Sequence, residues 1–325
     1  MSSRSNRTSL VALLAIVALM TGCGAKNGPG PASSASTPKR IAVIISTLNN
    51  PWFVGVANAT RAEAQSRGYK VTVFDSQNDP VKESANFDNV ISSAYDAILL
   101  NATDADGSVA NIKRAHVADI PVFTMDREVN TSDAVVSQVL SDNYAGAVAL
   151  GQNFVEQVGE EGHYVELLGL VTDNNTWNRS KGFHSVVDRY PGLKMMAQQS
   201  ADFDRSKALE VMESILQAQP DINAVFCGND AMALGAVQAL LVNGRAGRVK
   251  VFGFDGSADA INSIIQGKLT ATAMQHADII AKTVTEYADR YLKGDRNLPT
   301  TMPVAVDLIT QRNASQFAHA QPDPP

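Results

Sequence analysis

Short, unbroken apolar segments recur along the chain, and segments with helical periodicity separate them. Strands that are apolar on both faces are typical of a parallel sheet covered by helices on both sides. The predicted strands cover residues 41–45, 71–74, 97–100, 122–125, 164–168, 224–227, 249–254, 271–274 and a segment near 304–309. With 325 residues, the chain is long enough for two cores. The two successive series of strands and helices predict an α/β fold with two doubly wound parallel-sheet lobes.

Polar side chains follow several of these strands at the carboxyl end, where doubly wound sheets bind their ligands. The candidate residues taken from these positions are Ser46, Asn50, Trp52, Phe53, Asp126, Arg127, Asn229, Asp255 and Gln275, with Arg179 and Phe203 in loops of the second series. The polar candidates can donate to or accept from a hydroxyl group. Each one alone is also explained as a helix cap or a surface ion pair. Because five strand ends carry such groups, which is more than capping requires, we predict a ligand-binding site there.

Trp52 and Phe53 are the most specific pair among the candidates, since only 6% of the residues are aromatic. Two adjacent aromatic side chains in the first turn of a helix cannot both face the core, so at least one is expected to face the site. An aromatic ring in such a site can lie against the C–H face of a sugar and exclude water from the neighbouring hydrogen bonds.

The charged candidates cancel, because Asp126 and Asp255 balance Arg127 and Arg179. This balance predicts a neutral ligand, and a sugar or polyol fits best. We expect the arginines to keep both carboxylates ionised, which suits a binding protein and not a general acid. The net charge of −6 argues against nucleic acid as a partner.

Residues 1–23 have the organisation of a lipoprotein signal peptide. Arg4 and Arg7 precede an apolar run over residues 10–20 that is too short to span a membrane. The run ends in Met20-Thr21-Gly22-Cys23, which resembles a bacterial lipobox, so Cys23 is the predicted lipidation site. An ordinary secretory signal with a chance cysteine is the alternative. Residues 24–38, rich in Gly, Pro and Ser, predict a flexible tether.

Cys227 is the second of only two cysteines, and its apolar neighbours indicate a buried core position. With Cys23 acylated, no disulfide is expected. The five histidines show no metal-ligand spacing. We therefore expect no metal, no cofactor and no catalytic residue.

Eight short segments spread from Lys39 to about Thr310 carry a family resemblance. They are Ser46-Thr47-Leu48-Asn49-Asn50-Pro51, Asp75-Ser76-Gln77-Asn78, Thr124-Met125-Asp126-Arg127, Ser141-Asp142-Asn143, Ala201-Asp202-Phe203-Asp204-Arg205, Asn229-Asp230-Ala231-Met232-Ala233-Leu234-Gly235, Gly253-Phe254-Asp255-Gly256 and Gly267-Lys268-Leu269. Through them the chain resembles the type I periplasmic binding proteins of sugar ABC transporters, especially the ribose-binding members.

The resemblance implies that the candidate residues face each other across a cleft. Ser46, Asn50, Trp52, Phe53, Asp126 and Arg127 would lie on the first lobe, Arg179, Phe203, Asn229 and Asp255 on the second, and Gln275 at a crossover. It also implies a three-stranded hinge, with residues 39–141 and 276–305 in the first lobe and residues 142–275 and 306–312 in the second. A ligand held by both lobes would stabilise the closed form. Residues 313–325 are expected to form a disordered tail.

Two departures from the family pattern bear on the ligand. Trp52 stands where the ribose-binding members have phenylalanine, which gives a larger stacking surface and less room. Residues 173–178 also differ, just before the matching Arg179. A ribose-like pentose is the favoured ligand, with a pentitol, another sugar alcohol or a hexose as alternatives.

The predicted role is a lipid-anchored, extracytoplasmic protein that delivers a neutral sugar or polyol to the permease of an ABC importer. A chemoreceptor is a further candidate partner, membrane contact is expected only through the lipid, and the protein is expected to be a monomer. A sugar-responsive transcription regulator is a less favoured alternative, because those proteins begin with a helix-turn-helix and this chain begins with a signal peptide. A sugar-acting enzyme is another alternative, with Asp126 and Asp255 as a carboxylate pair like that of glycosidases. A sugar kinase is disfavoured because the sequence has no glycine-rich phosphate loop of the G-x-x-x-x-G-K type.

Overall fold

The structure, a computed structural model, describes residues 38–318, which form two α/β lobes. The signal peptide, Cys23 and nearly all of the tether predicted from the sequence lie outside the described residues, as does the tail beyond residue 318. Within residues 38–318 no helix is both long enough and apolar enough to cross a membrane.

The first lobe contains a six-stranded sheet whose strands all run parallel. Its strands are β1 (Arg40–Ile45), β2 (Lys70–Asp75), β3 (Ala97–Leu100), β4 (Val122–Met125), β5 (Ser137–Ser141) and β11 (Thr301–Val304), in the order β2-β1-β3-β4-β5-β11. Its helices are α1 (Pro51–Ser66), α2 (Pro80–Ser92), α3 (Val109–Val117) and α9 (Ala277–Leu292). One face of the sheet packs on α1 and α9 and the other on α2 and α3, which gives two apolar layers.

The second lobe repeats this plan with one strand reversed. Its strands are β6 (Glu161–Leu168), β7 (Gly192–Ser200), β8 (Ala224–Cys227), β9 (Lys250–Asp255), β10 (Ala271–Met274) and β12 (Asp307–Thr310), in the order β7-β6-β8-β9-β10-β12 with β12 antiparallel to β10. Its helices are α4 (Asn143–Val158), α5 (Asn174–Val187), α6 (Arg205–Ala218), α7 (Asp230–Val242), α8 (Ala258–Ile265) and α10 (Ala314–Phe317). The predicted fold class of two doubly wound lobes is therefore confirmed.

The chain passes between the two sheets three times. It crosses from β5 to α4, from β10 to α9 and from β11 to β12. Three such connections leave the two lobes free to rotate about a common hinge, which is what a binding cleft between them needs.

Several elements differ from the sequence-based expectation. Strands β5 and β7 were not predicted, because β5 is rich in polar residues and β7 is an edge strand with only one fully buried residue. The last predicted strand is two strands, one in each sheet. Part of the expected disordered tail forms α10 instead, because Ala314 is buried in the core of the second lobe.

Candidate ligand-binding site

A cavity lies between the lobes at the carboxyl ends of the strands. It is lined by Asn50, Trp52, Phe53, Asp126, Arg127, Asp173, Asn175, Arg179, Phe203, Asn229 and Asp255. Nine of the eleven predicted residues are in this lining, while Ser46 and Gln275 lie behind it and Asp173 and Asn175 were not predicted. The volume open to the centre of a water molecule is about 10 Å³, which is room for roughly one water. A sugar can therefore enter only when the lobes move apart.

Asn50 serves both as a helix cap and as a site residue. Its Oδ1 accepts a hydrogen bond of 3.0 Å from the backbone N–H of Trp52 and so caps α1, with Pro51 in the first turn. Its Nδ2 is buried and has no partner among the described residues. Capping thus fixes the side chain with a free amide donor at the cavity, where a ligand hydroxyl could accept from it.

Asp126 is the centre of a hydrogen-bond network in the first lobe. Trp52 Nε1 donates to its Oδ1 at 2.9 Å, and Asn101 Nδ2 donates to its Oδ2 at 2.9 Å. Ser46 lies one step further back, because its hydroxyl donates to Asn101 Oδ1 at 2.5 Å. Ser46 therefore acts through Asn101 on Asp126, and does not line the cavity.

Arg127 extends from the first lobe across the cavity. Its guanidinium lies 4.8 Å from the ring centroid of Phe53, and its Nη1 donates to the carbonyl of Ala102 at 3.0 Å. Its Nε is 2.7 Å from Oδ2 of Asp173 in the second lobe, although the N–H is not directed along a hydrogen bond. The interpretation of Asp126 and Arg127 as a local surface pair is therefore wrong, since Arg127 is buried and its carboxylate partner belongs to the other lobe.

Arg179 lies inside helix α5, although the sequence had predicted that it lies in a loop. The helix begins before Arg179 because Asp173 caps it by accepting from the N–H of Asn175 at 2.9 Å. Arg179 Nε donates to Asn143 Oδ1 at 2.8 Å, and its guanidinium lies 3.9 Å from the Phe254 ring centroid. These contacts hold Arg179 in a single orientation beside the cavity.

Phe203 does lie in a connection, between β7 and α6, with a positive φ of 60°. Its ring packs so closely on Gly169 that a Cβ there would lie 2.0 Å from the ring. Gly169 is therefore required for the ring to reach the cavity.

Asp255 is the corresponding carboxylate of the second lobe. It is the last residue of β9 and has a φ of 125°, which is strained for a residue with a side chain. Gln275 Nε2 donates to its Oδ1 at 2.8 Å, and Arg179 Nη1 lies 3.5 Å from the same oxygen. Gln275 is thus placed behind Asp255, as Ser46 and Asn101 are placed behind Asp126.

The arginines were expected to keep Asp126 and Asp255 ionised, yet the pKa of each carboxyl is raised and not lowered. Burial raises the pKa of Asp126 above its usual range, although Arg179 and the hydrogen bond from Trp52 oppose the rise. Burial also raises the pKa of Asp255 well above its usual range, with Arg179 opposing and the nearby Asp230 adding to the rise. Loss of water around the carboxylates outweighs the neighbouring positive charge.

Asp173 and Asn175, which the sequence analysis missed, join the lobes. Asn175 Nδ2 donates to the backbone carbonyl of Asp126 at 3.0 Å, and its Oδ1 accepts from Asn143 at 3.0 Å. With Asp173 in the lining, the site holds three carboxylates and two guanidiniums. The predicted charge balance counted only two carboxylates, because it did not include Asp173. The available signal was an Asp-Asn-Asn segment after β6, at a strand end like the others.

Comparison with known proteins identifies the family of this chain. A family profile described as "Periplasmic binding protein domain" matches residues 41–296. The chain is 39% identical to the D-apiose import binding protein of Paraburkholderia graminis, over 87% of this chain and 91% of that protein. It is 38% identical to the ribose import binding protein of Escherichia coli, over 94% of this chain and all of the relative. The chain belongs to the type I periplasmic sugar-binding proteins of ABC transporters.

Solved structures give the same assignment. A solute-binding protein from Bacillus halodurans with bound myo-inositol superposes with a TM-score of 0.82 at 27% identity, covering 88% of this chain and 99% of that one. One from Mycobacterium smegmatis with bound glycerol gives 0.83 at 30% identity, covering 87% and 97%. Members of this family are non-enzymatic, extracytoplasmic proteins that work with ABC transporter components. The periplasmic binding protein described here is therefore a sugar-binding component and not an enzyme, as predicted.

Among residues 38–318, no group of three or more His, Cys, Asp or Glu side chains could hold a metal ion. The carboxylates of the cleft are instead paired with arginine, amide and indole groups.

Proposed function

We propose that this protein captures a neutral monosaccharide, with a ribose-like pentose as the leading candidate, and delivers it to an ABC importer from a lipid anchor. The observation that carries the proposal is the cavity itself, in which aromatic rings and hydrogen-bonding groups from both lobes face each other. Aromatic rings suit the C–H faces of a sugar, and the polar groups suit its hydroxyls. A ligand that contacts both lobes stabilises the closed form by its higher affinity for that form.

Neutrality of the ligand is supported even though the site contains a third carboxylate. Arg127 lies beside Asp173 and Arg179 lies beside Asp255, so each guanidinium already has a carboxylate neighbour. A phosphate or carboxylate ligand would therefore add negative charge to a cleft that has no unmatched arginine. A hydroxyl can accept from the guanidinium groups and donate to the carboxylates without adding charge.

The pentose assignment is supported by size and by the relatives. The names of two relatives specify D-apiose and ribose, both five-carbon sugars. Trp52 lines the first lobe's side of the cavity, where its indole ring leaves less room than the phenylalanine of the ribose-binding members. A pentitol is the second candidate, because a slim acyclic chain fits beside a large indole ring more easily than a pyranose does.

Titration calorimetry with ribose, xylitol, arabinitol, galactose and ribose 5-phosphate tests the ligand class. We expect binding of a five-carbon neutral ligand, and no binding of the phosphate. Tight binding of the phosphate with none of the neutral ligands would falsify the proposal. Xylitol binding without ribose binding would keep the mechanism and change the name of the ligand.

The lipid anchor is proposed from the segment Met20-Thr21-Gly22-Cys23 and the Gly/Pro/Ser-rich residues after it. The variant Cys23→Ser should move the protein from the membrane fraction to the soluble extracytoplasmic fraction, because no diacylglycerol can be attached. Cys227→Ser serves as the matched control and should stay with the membrane. Incorporation of labelled palmitate into the Cys23→Ser variant would contradict the anchor.

A further inference from the structure

We propose that Asp173 is a specificity-determining residue that excludes anionic sugars from the cleft by neutralising Arg127. The excluded class comprises aldonates, uronates and sugar phosphates. The inference rests on the proposed function, because it concerns which sugars the same cleft accepts.

Asp173 is held rigidly at the cavity. The residue is 3% exposed and immediately precedes α5. Its Oδ1 accepts from the N–H of Asn175 at 2.9 Å, and its Oδ2 lies 2.7 Å from Arg127 Nε. Since one oxygen is committed to its own helix, the other is directed at the opposite lobe, and the carboxylate cannot turn away from Arg127.

Arg127 is the cation of the first lobe that an anionic ligand would seek. Its side chain lines the cavity, is 2% exposed, and stacks on Phe53 with 4.8 Å between guanidinium and ring centroid. A planar guanidinium beside an apolar wall is a strong carboxylate site when no counter-ion is present. Asp173 occupies that position, so a ligand carboxylate would have to sit next to a second buried carboxylate, which is unfavourable in a site of low polarity.

The pair spans the cleft, and this makes the exclusion act at closure. Arg127 belongs to the first lobe and Asp173 to the second, so the two approach each other only when the lobes close. A neutral sugar permits the approach. An anion bound to Arg127 would meet Asp173 during closure and keep the lobes apart, so its contact with the first lobe would not lead to the stable closed complex.

The variant Asp173→Ser tests the inference, because serine keeps a helix cap and leaves space beside Arg127. We expect the affinity for ribonate, the aldonate of ribose, to rise by about ten- to a hundredfold, the change expected for one added hydrogen bond to a charged partner. Ribose affinity is measured in the same variant, and the ratio of ribonate affinity to ribose affinity should rise. Asp204→Ser is the matched control, since Asp204 also caps a helix, by accepting from the N–H of Lys207 at the start of α6, but is exposed and outside the cavity lining.

A second measurement does not depend on any sugar. Added formate should raise the thermal midpoint of Asp173→Ser, because the small carboxylate fills the vacated position, and should leave the wild type and Asp204→Ser unchanged. If Asp173→Ser does not fold, Asp173→Asn takes its place, because asparagine preserves the size of the side chain and the helix cap. Ribonate is then the ligand that is titrated. Equal ribonate affinity in wild type and variants, or tight ribonate binding by the wild type, would overturn the inference. Absence of all neutral-sugar binding would defeat the proposed function, while the formate response would still decide the role of Asp173.

Discussion

Asp126 and Asp255 hold equivalent positions in the two lobes but are built into them differently. Asp126 follows the last residue of β4 and Asp255 is the last residue of β9, and both have positive φ and are buried at the cavity. Asp126 receives hydrogen bonds on both oxygens, from Trp52 and Asn101 of its own lobe. Asp255, in contrast, accepts one side-chain hydrogen bond within residues 38–318, from Gln275, and faces Arg179 at 3.5 Å.

This difference indicates distinct tasks for the two carboxylates. Because the oxygens of Asp126 are already engaged, that residue mainly organises the first lobe's wall before a ligand arrives. Asp255 has more accepting capacity left, so it is better placed to bind ligand hydroxyls. The second lobe also supports Asp255 from behind through Asp230, whose oxygens accept from Thr272 Oγ1 at 2.6 Å and from the Ser257 N–H at 2.7 Å.

The largest expected effects come from removing each carboxylate. Asp255→Ala should weaken sugar binding by about a hundredfold, since a hydrogen bond to a charged group contributes roughly 1.5–3 kcal/mol. Asp126→Ala should weaken it less but lower the free energy of unfolding by about 1–3 kcal/mol, because it leaves the Trp52 and Asn101 donors buried without partners. Calorimetry and denaturant unfolding measure the two effects, with the exposed Asp259→Ala as control. The same ratio of binding loss to stability loss in both variants would contradict the division of tasks.

An intermediate effect is expected for Asp230→Asn. An amide oxygen cannot replace both carboxylate oxygens as acceptors, so the strained turn that carries Asp255 should loosen and sugar affinity should fall by about tenfold. In an Asp255→Ala background the same change should have little further effect, because Asp230 acts through Asp255. Asp289→Asn, a buried carboxylate of the first lobe bonded to Tyr69, is the matched control. A full tenfold loss in the Asp255→Ala background would place Asp230 in direct contact with the ligand.

Asp230 also predicts a dependence of stability on pH. Burial raises its pKa from 3.8 to about 6, so between these values the native state binds more protons than the unfolded state. The contribution of Asp230 to the free energy of unfolding therefore decreases as the pH rises from about 4 to 6. Unfolding measured across this range should show the stability of wild type falling relative to Asp230→Asn. A difference between the two proteins that stays constant with pH would contradict the assignment.

The smallest effect is expected for Trp52→Phe, which removes the hydrogen bond to Asp126 and makes room in the first lobe. Affinity should change by about tenfold or less, with ring sugars gaining relative to acyclic pentitols. Intrinsic fluorescence provides a second readout, because Trp52 is buried at the cavity and Trp177 is 39% exposed. The ligand-induced fluorescence change should disappear in Trp52→Phe and persist in Trp177→Phe. An unchanged order of ligand affinities would show that Trp52 does not select by shape.

Much of the site was predictable because its residues follow strands that the sequence shows clearly. The buried strands β1, β4, β8 and β9 are continuous apolar runs, and the polar residues after them are local signals. The edge strand β7 was missed for the opposite reason, since its half-exposed residues show no apolar run. The start of α5 was missed because Asp173 was not recognised as its cap.

The sequence by itself determined the two-lobed α/β fold, the edge of each sheet at which the cavity lies, and nine residues of the cavity lining. The fold, the edge and seven of the nine residues follow from hydrophobic periodicity and from the geometry of strand ends, which act over a few neighbouring residues. Only the tertiary structure decided that Arg127 pairs with Asp173 and that Asn175 bonds to Asp126. These contacts join residues of different lobes, and their existence depends on how three hinge connections bring the lobes together. The burial that raises the pKa values of Asp126 and Asp255 arises in the same way, because water is excluded from the cleft only when both lobes enclose it.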